Sequence, residues 1–476
     1  MLYLRQHSEK TAVIDNEITL TYKELFDKAS LIAKKIKLQA SVRQHVAILL
    51  PNSANYVVAY CAALLADCVV IPIYYNATPQ EIKHCIEFCD VSILITTDAD
   101  AKELCSQELR HRLTIININT LESTVIGNKS LIAYPASPSD VSVILGTSGS
   151  TNSPKRVMLS DENMIENALG IIQSLGYTEN ERILVVLPLT FASGNTSQLI
   201  VSLVLSATIC IYHGALHPKL FYATIKKYRI TSTTVVPSIL KIILDGRDHT
   251  KECETLKTLC FGGGPTDNTT IKRVMNSPLR KAYVQMYGQT EASTRISHLH
   301  YNDCFEKENS VGKQLYNICV RIDATDNEVG EIYVKGKNVM RGYYKETVSP
   351  ITNGWLATGD IGYMDSDGYL YICGRKKNLI IVSGMNVYAE EVENILRQSP
   401  AVSEALVYGV CDENRGEIPV ADVVLATDAN ITEQELKAYC SASLSEYKVP
   451  AQINFVKALE RTYNGKIARK RRNDYE

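Results

Sequence analysis

Short apolar runs recur along the chain, separated by stretches with helical spacing. His45-Val46-Ala47-Ile48-Leu49-Leu50 predicts a buried strand, Pro51-Asn52-Ser53 a helix start, and Cys68-Val69-Val70-Ile71-Pro72-Ile73 the next strand. A second helix starting near Pro79 leads to a third strand at Val91–Ile95, so the rhythm is that of a parallel sheet covered by helices. It returns with strands at Val141–Leu145, Ile183–Leu187, Ala207–Tyr212, Ser232–Val236, Thr258–Phe261 and Ala282–Met286. From about Val311 the pattern changes to short strands and turn signals, including Asn353-Gly354 and Asp367-Gly368. Gly374-Arg375-Lys376-Lys377-Asn378 then interrupts two apolar runs. The expected fold is α/β: a large N-terminal domain of two helix-flanked wound sheets plus a small β-rich subdomain, followed by a small, mobile α+β C-terminal domain. The boundary divides residues 1–376 from 377–476.

Composition fits this picture. At 476 residues, 45% hydrophobic, the chain can fill at least two cores, and 25 glycines with 15 prolines exclude collagen-like or low-complexity sequence. Fifty basic against 52 acidic residues leave a net charge of −2, which offers no footprint for nucleic acid or an anionic membrane. No apolar segment approaches the roughly 20 residues of a membrane span, and no secretory signal opens the chain. Thirteen cysteines lie scattered in apolar segments, which suits reduced thiols and a cytoplasmic location. Cys85 and Cys89 could place two ligands on one helix face, but no companion pair follows, so the expected reading is two core thiols.

In wound parallel sheets ligands bind beyond the carboxyl ends of the strands, so the loops there carry the chemistry. The first is Gly146-Thr147-Ser148-Gly149-Ser150-Thr151-Asn152-Ser153-Pro154-Lys155. Its glycines can turn backbone N–H groups to an anion, its hydroxyls add donors and its lysine adds charge; the same residues also suit a solvated hairpin turn. A strand rather than a helix follows, so this is not a Walker loop. The second, Cys260-Phe261-Gly262-Gly263-Gly264-Pro265, lets a flat ligand lie against bare backbone. The third, Tyr287-Gly288-Gln289-Thr290-Glu291, brings together a ring, a hydroxyl and a carboxylate able to hold Mg²⁺ beside phosphates, or else forms a capped helix start.

In this order the loops resemble the adenylate-forming superfamily of acyl-CoA synthetases, nonribosomal peptide synthetase adenylation domains and luciferases. The resemblance extends through Trp355-Leu356-Ala357-Thr358-Gly359-Asp360, Gly374-Arg375-Lys376-Lys377 and Asn464-Gly465-Lys466-Ile467, and so covers essentially the whole chain. It implies an ATP-dependent carboxylic acid–thiol ligase. A carboxylate attacks the α-phosphate of ATP to give acyl-AMP, and the thiol of CoA or of a carrier protein's phosphopantetheine then takes the acyl group. Related readings are an adenylating enzyme with a non-thiol acceptor and a non-catalytic nucleotide- or acyl-binding homologue.

By the same resemblance Thr147, Ser148, Gly149, Ser150, Thr151 and Lys155 hold pyrophosphate oxygens. Gly262, Gly263, Gly264 and Pro265 border the adenine, and Tyr287, Gly288, Gln289 and Ile372 belong to the nucleotide site. Asp360 binds the ribose hydroxyls with help from Arg375, Glu291 holds Mg²⁺, and Thr290 and Lys466 join Glu291 as catalytic residues. Lys466 bridges the carboxylate and the α-phosphate, whereas Arg469, Lys470, Arg471 and Arg472 read as a solvated basic tail. Lys377 is the hinge on which the C-terminal domain swings between the two half-reactions.

Two glycines of the family's loop are replaced, by Asn152 and Arg156. Asn152 tolerates the left-handed geometry, and Arg156 reads as decoration of an exposed strand face. The acid pocket follows Leu187-Pro188-Leu189-Thr190-Phe191. Phe191 stands where many relatives carry a histidine gate, and Ala192 where amino-acid-activating relatives carry an aspartate, so a buried ammonium would lack its partner. Asn195, Ser238, Gln285, Met286 and Thr294 complete the expected lining; its polar members suit a hydroxy-, amino- or oxo-substituted acid and equally suit hydrogen-bonded core positions.

Overall fold

The computed structural model describes residues 8–16, 18–39, 43–97, 109–131, 137–147, 155–245, 252–264, 268–303, 306–307, 309–324, 329–427, 429–461 and 467–469. Ser148–Pro154, Pro265, Lys466 and Lys470–Arg472, all singled out above, lie outside them.

The first sheet is built around the parallel strands Val141–Gly146, Val69–Pro72, His45–Ile48, Val91–Thr96 and Leu113–Asn117, in that spatial order. Val69–Pro72 and His45–Ile48 are buried at every position, as expected of strands with helices on both faces. The helices start where the sequence provides caps. Ser53 accepts a hydrogen bond from the Tyr56 N–H ahead of Ala54–Leu65. Thr78 and Glu81 form a reciprocal capping box around Pro79, opening Pro79–Phe88. Cys85 is buried on this second helix and Cys89 at its C-cap, and among the described residues no group of three or more His, Cys, Asp or Glu is placed to hold a metal.

The second sheet begins with a parallel block ordered Thr208–Ile211, Arg182–Val185, Ser232–Val235, Thr258–Phe261 and Tyr283–Tyr287. Expected strand ends shift by one or two residues. Ile183–Leu187 stops at Val185 ahead of Pro188, and Ala282 closes a 3₁₀ turn instead of opening its strand. The β-rich region is present but is hydrogen-bonded onto this sheet. Ser297–His300 pairs antiparallel with Tyr283–Tyr287 and with Ser310–Gln314, which in turn pairs with Leu370–Arg375. Trp355–Met364, Gly330–Gly336 and Ile318–Ala324 follow, so fourteen described strands form one continuous sheet.

The strand Leu370–Arg375 takes in the first two residues of the expected interruption, which is then a single 3₁₀ turn at Lys376–Asn378. Beyond it, Leu379–Val382, Met385–Tyr388, Val402–Asp412, Gly416–Leu425 and Gln452–Phe455 form a separate five-stranded sheet. The helices Ala389–Gln398 and Glu433–Ser441 cover it over a core of their own. Arg469 is held by charge: its Nη2 lies 2.7 Å from Glu393 Oε2, whose side chain is 2% exposed. Arg469 is therefore an anchor and not part of a solvated run.

Candidate active site

The carboxyl ends of Thr258–Phe261 and Tyr283–Tyr287 are neighbours in the parallel block, so Gly262 and Gly288 emerge side by side. A Cβ at Gly262 would stand 2.4 Å from the Met286 carbonyl oxygen, which explains why backbone and not a side chain forms this wall. After Tyr287 the chain folds back in a tight turn. Ala292 and Thr294 N–H both donate to the Gln289 carbonyl at 3.0 Å, and Ile296 N–H donates to that of Tyr287 at 2.9 Å. This turn places the Thr294 carbonyl 1.7 Å from where a Gly288 Cβ would sit, so only glycine fits. It also holds Thr294, a β-branched residue, at φ 110°, a strained conformation of the kind that gathers at functional sites. Thr290 and Glu291 lie in the single 3₁₀ turn Thr290–Ala292 and do not open a longer helix.

Two polar lines converge here. In the first, Asp360 Oδ2 accepts from Tyr287 OH at 2.7 Å, and Arg375 Nε lies 2.5 Å from Asp360 Oδ1. The Asp360 side chain is 4% exposed; burial pushes its pKa up while the Arg375 guanidinium opposes the shift. Burial, reinforced by Asp360, raises the Tyr287 phenol well above its ordinary value, so it stays a donor. In the second line Glu291 Oε1 accepts from Tyr343 OH at 2.8 Å, and Lys155 Nζ sits 4.3 Å from the centre of the Tyr343 ring. Lys155 also pairs with Glu346 at 3.2 Å. Thr147 is buried, and its N–H donates to the Lys155 carbonyl at 2.9 Å, closing the base of the hydroxyl-rich loop.

Other expected residues divide in their fates. Phe191 stacks obliquely on Tyr74 at 5.4 Å, and Asn195 is fully buried, accepting from Tyr60 OH at 3.3 Å with its own Nδ2 unpartnered. Asn195 opens a turn of π-helix, Asn195–Ile200, for which the sequence carries no signal. Met286 is buried, Thr294 Oγ1 donates to the Ala192 carbonyl at 2.8 Å, and Ile372 is half-buried. Ser238 is exposed on the first turn of Pro237–Leu244, with no described contact to this group. Arg156 is not surface decoration: its Nη1 lies 3.1 Å from where a Gly146 Cβ would stand. Lys377 is an exposed residue beside Arg375 and Arg469, and partial desolvation followed by those two cations lowers its pKa.

Residues 3–344 match the family model of the AMP-binding enzyme, and residues 391–466 match the C-terminal domain of the AMP-binding enzyme. The chain belongs to the AMP-binding enzyme family. It is 31% identical over 479 residues to 2-succinylbenzoate–CoA ligase of Bacillus velezensis, covering 98% of this chain and 95% of that one. It is also 31% identical to feruloyl-CoA synthase of an Amycolatopsis species, covering 97% and 95%. The o-succinylbenzoate CoA synthetase of Bacillus subtilis, solved with its acyl-adenylate intermediate, superposes with a TM-score of 0.85 at 29% identity, covering 98% of this chain and 96% of that one. The same enzyme solved with ATP and magnesium gives 0.83 at 28%, covering 98% and 97%. The chain is thus an ATP-dependent, AMP-forming acid–thiol ligase that works through an acyl-adenylate. Among the described residues no helix is long and apolar enough to cross a membrane.

Sequence reasoning missed three members of the site. Tyr343 reaches Glu291 because Gly342-Tyr343 pairs with Met158 and Val157, a contact across nearly two hundred residues. Glu390 accepts from the Arg375 N–H at 3.4 Å and from Asn378 Nδ2 at 2.6 Å, linking the C-terminal unit to the Asp360–Arg375 pair. Arg295, next to Thr294, is 1% exposed, although its charge gives it the look of a surface residue.

Proposed function

We propose that this ligase joins a carboxylic acid with polar substituents to CoA, in the cytoplasm, by two half-reactions in one pocket. The observation that carries the reading is the convergence of Tyr287, Asp360 and Arg375 with Glu291 and Tyr343 at neighbouring strand ends. In the first half-reaction an oxygen of the acid attacks the α-phosphorus of ATP, and the bond to pyrophosphate breaks. In the second the CoA sulfur attacks the acyl carbon, and the bond to the AMP oxygen breaks.

Asp360, paired with Arg375, accepts from the ribose hydroxyls; Gly262–Gly264, Pro265, Tyr287 and Ile372 frame the base. Thr147–Thr151 and Lys155 take the pyrophosphate oxygens, with Thr290, Gly288 and Gln289 alongside. The Glu291 carboxylate receives a single described hydrogen bond, from Tyr343, which leaves oxygen lone pairs for Mg²⁺. When bound, the metal neutralises charge on the phosphates. Lys466 bridges the acid and the α-phosphate in the first step, and residues 377–476 turn about Lys377 to exchange Lys466 for the thiol channel in the second. The acid lies among Phe191, Asn195, Met286 and Thr294. Support for an aryl or oxo acid comes from the relatives named for 2-succinylbenzoate and ferulate.

The test is pyrophosphate release with hydroxylamine trapping, given Mg-ATP and no thiol, over aryl, oxo, hydroxy, amino and aliphatic acids. One class should yield hydroxamate, and CoA should then accelerate AMP release. AMP release unchanged by CoA or a phosphopantetheine carrier would point to a non-thiol acceptor.

A further inference from the structure

Arg295 is the largest of the fully buried side chains, at 1% exposure, and among the described residues it faces no carboxylate. Its guanidinium meets two sulfur atoms, Nη2 at 2.9 Å from Met286 Sδ and Nη1 at 3.6 Å from Cys260 Sγ, while Nε is buried with no partner. Sulfur is a weak acceptor, so a five-donor cation is left without an oxygen to bind. Arginine cannot shed its proton as a buried lysine can, and a buried charge without a counter-charge is costly. The imidazole of His298 and the phenol of Tyr177 beside it add no negative charge. Burial, with Arg295 itself contributing, presses His298 down to about 3, so its imidazole is neutral, and burial keeps the Tyr177 phenol protonated.

The placement of Arg295 is deliberate in structural terms. Asn167 on the helix Asp161–Leu175 clamps its backbone from both sides, donating to the Arg295 carbonyl at 2.7 Å and accepting from its N–H at 3.2 Å. Thr294 and Met286, both assigned to the acid pocket, are its chain neighbour and its nearest side-chain contact. Buried side-chain polar atoms without partners are concentrated on the same segments: Thr190, Asn195, Thr196, Ser197 and His298 each carry one. Polar atoms left unpaired in this way mark where a ligand supplies the missing partners.

We propose that Arg295 reads a second anionic group on the acid, so that the preferred substrate is a dicarboxylic acid whose distal carboxylate pairs with the Arg295 guanidinium while the other carboxylate is activated. The proposal rests on the acid–CoA ligase reading above. It also accounts for Ala192: where amino-acid-activating relatives present an anion, this pocket presents a cation, which repels an ammonium and attracts a carboxylate.

The test uses matched acids that differ by one carboxylate: 2-succinylbenzoate against 4-oxo-4-phenylbutanoate, and 4-carboxycinnamate against cinnamate. Binding is read by calorimetry, and adenylation by pyrophosphate release. For at least one pair the wild type should favour the diacid by about a hundredfold in both Kd and kcat/KM, since a site built for a polar group rejects the analogue lacking it. Arg295→Met should remove that preference while retaining the mono-acid, and Arg295→Lys should keep part of it. A wild type with no diacid preference in any pair overturns the proposal, and this result needs no variant to fold. An Arg295→Met variant that keeps its fold by thermal melting and loses both acids of a pair equally makes Arg295 structural, and also overturns it. Failure of the ligase reading has a different signature: diacid preference in binding with no pyrophosphate released from any acid.

Discussion

Asp360 and Arg375 face each other across an antiparallel pair of strands, directly opposed in register, with Nε 2.5 Å from Oδ1. The carboxylate is 4% exposed and the guanidinium side chain 43%, so the pair presents a buried acid to the site with its cation at the rim. Tyr287 OH occupies the other oxygen at 2.7 Å. Asp360→Ala should raise KM for ATP by at least about tenfold, because it removes a charge-assisted acceptor worth about 1.5–3 kcal/mol. KM for the acid should change little. Tyr287→Phe deletes one hydrogen bond, and about 1 kcal/mol, or roughly fivefold, is expected. Initial rates of pyrophosphate release at varied ATP measure both effects; a loss confined to acid binding would separate Asp360 from the nucleotide.

Glu291 and Tyr343 form the second such relationship. Glu291→Gln keeps the shape and removes the charge that Mg²⁺ requires, so kcat for adenylation should fall by about 10²–10³ with a raised half-saturating Mg²⁺ concentration. Tyr343→Phe removes only the hydrogen bond that orients the carboxylate, and a two- to fivefold rise in half-saturating Mg²⁺ is expected, with kcat within about threefold. A Glu291→Gln enzyme with unaltered magnesium dependence would exclude the carboxylate as the metal's ligand.

These residues differ in how far the sequence revealed them. The buried strands were visible as apolar runs, and Ser53, Thr78 and Pro79 marked helix starts, because capping and parallel-strand burial leave local signatures. The strand-end loops followed from the same alternation, so Gly262, Gly288 and Glu291 were in view from the outset, whereas Asp360 and Arg375 entered through the family resemblance. Tyr343 was not, since it arrives through a two-residue strand paired to Val157 and Met158. Arg295 was hidden for another reason. Its burial depends on the turn at Gly288 and on the Asn167 clamp, neither of which hydrophobic periodicity registers. The continuity of the β-rich region with the second sheet rests likewise on one long-range pairing, Ser310–Gln314 with Leu370–Arg375.

A pH dependence follows from His45, which is fully buried in the first sheet. Its Nδ1 lies 2.5 Å from the Cys89 carbonyl and its Nε2 3.0 Å from Ser137 Oγ. Burial presses its pKa down to about 4, whereas the unfolded chain titrates near 6.5. Between these values the unfolded chain binds a proton that the folded protein does not. Stability from His45 is therefore complete above about pH 6.5 and is lost as pH falls toward 4, by up to about 3 kcal/mol. His298, pressed to about 3, adds to the same trend. Urea midpoints at pH 7.5 and 4.5 should differ in that direction, and His45→Gln, although less stable at neutral pH, should show the smaller difference. An equal slope in wild type and variant would mean that other groups dominate acid unfolding.

The two-step reading assigns Lys466 to one half-reaction only. In adenylation two anions, a carboxylate and a phosphate, must approach, and a lysine about 4 Å away contributes about 4 kcal/mol at an effective dielectric near 20. Realised only in the transition state, that is a factor of about 10³ in rate. Thioester formation starts from a mixed anhydride with that charge problem already solved, so it gains nothing from the lysine. Lys466→Ala should therefore slow pyrophosphate release by about 10³ and leave the reaction of supplied acyl-AMP with CoA within a few-fold of wild type. Lys377→Pro, which fixes φ at the turn Lys376–Asn378, should show the opposite pattern, sparing adenylation and slowing thiol transfer. Both half-reactions are measured on one preparation, the first by pyrophosphate release and the second by thioester absorbance from synthetic acyl-AMP. Equal loss of both steps in Lys466→Ala would mean that the lysine supports the fold or a shared step and that the two conformations are not the device. Loss of adenylation alone in Lys377→Pro would move the hinge elsewhere between Arg375 and Leu379.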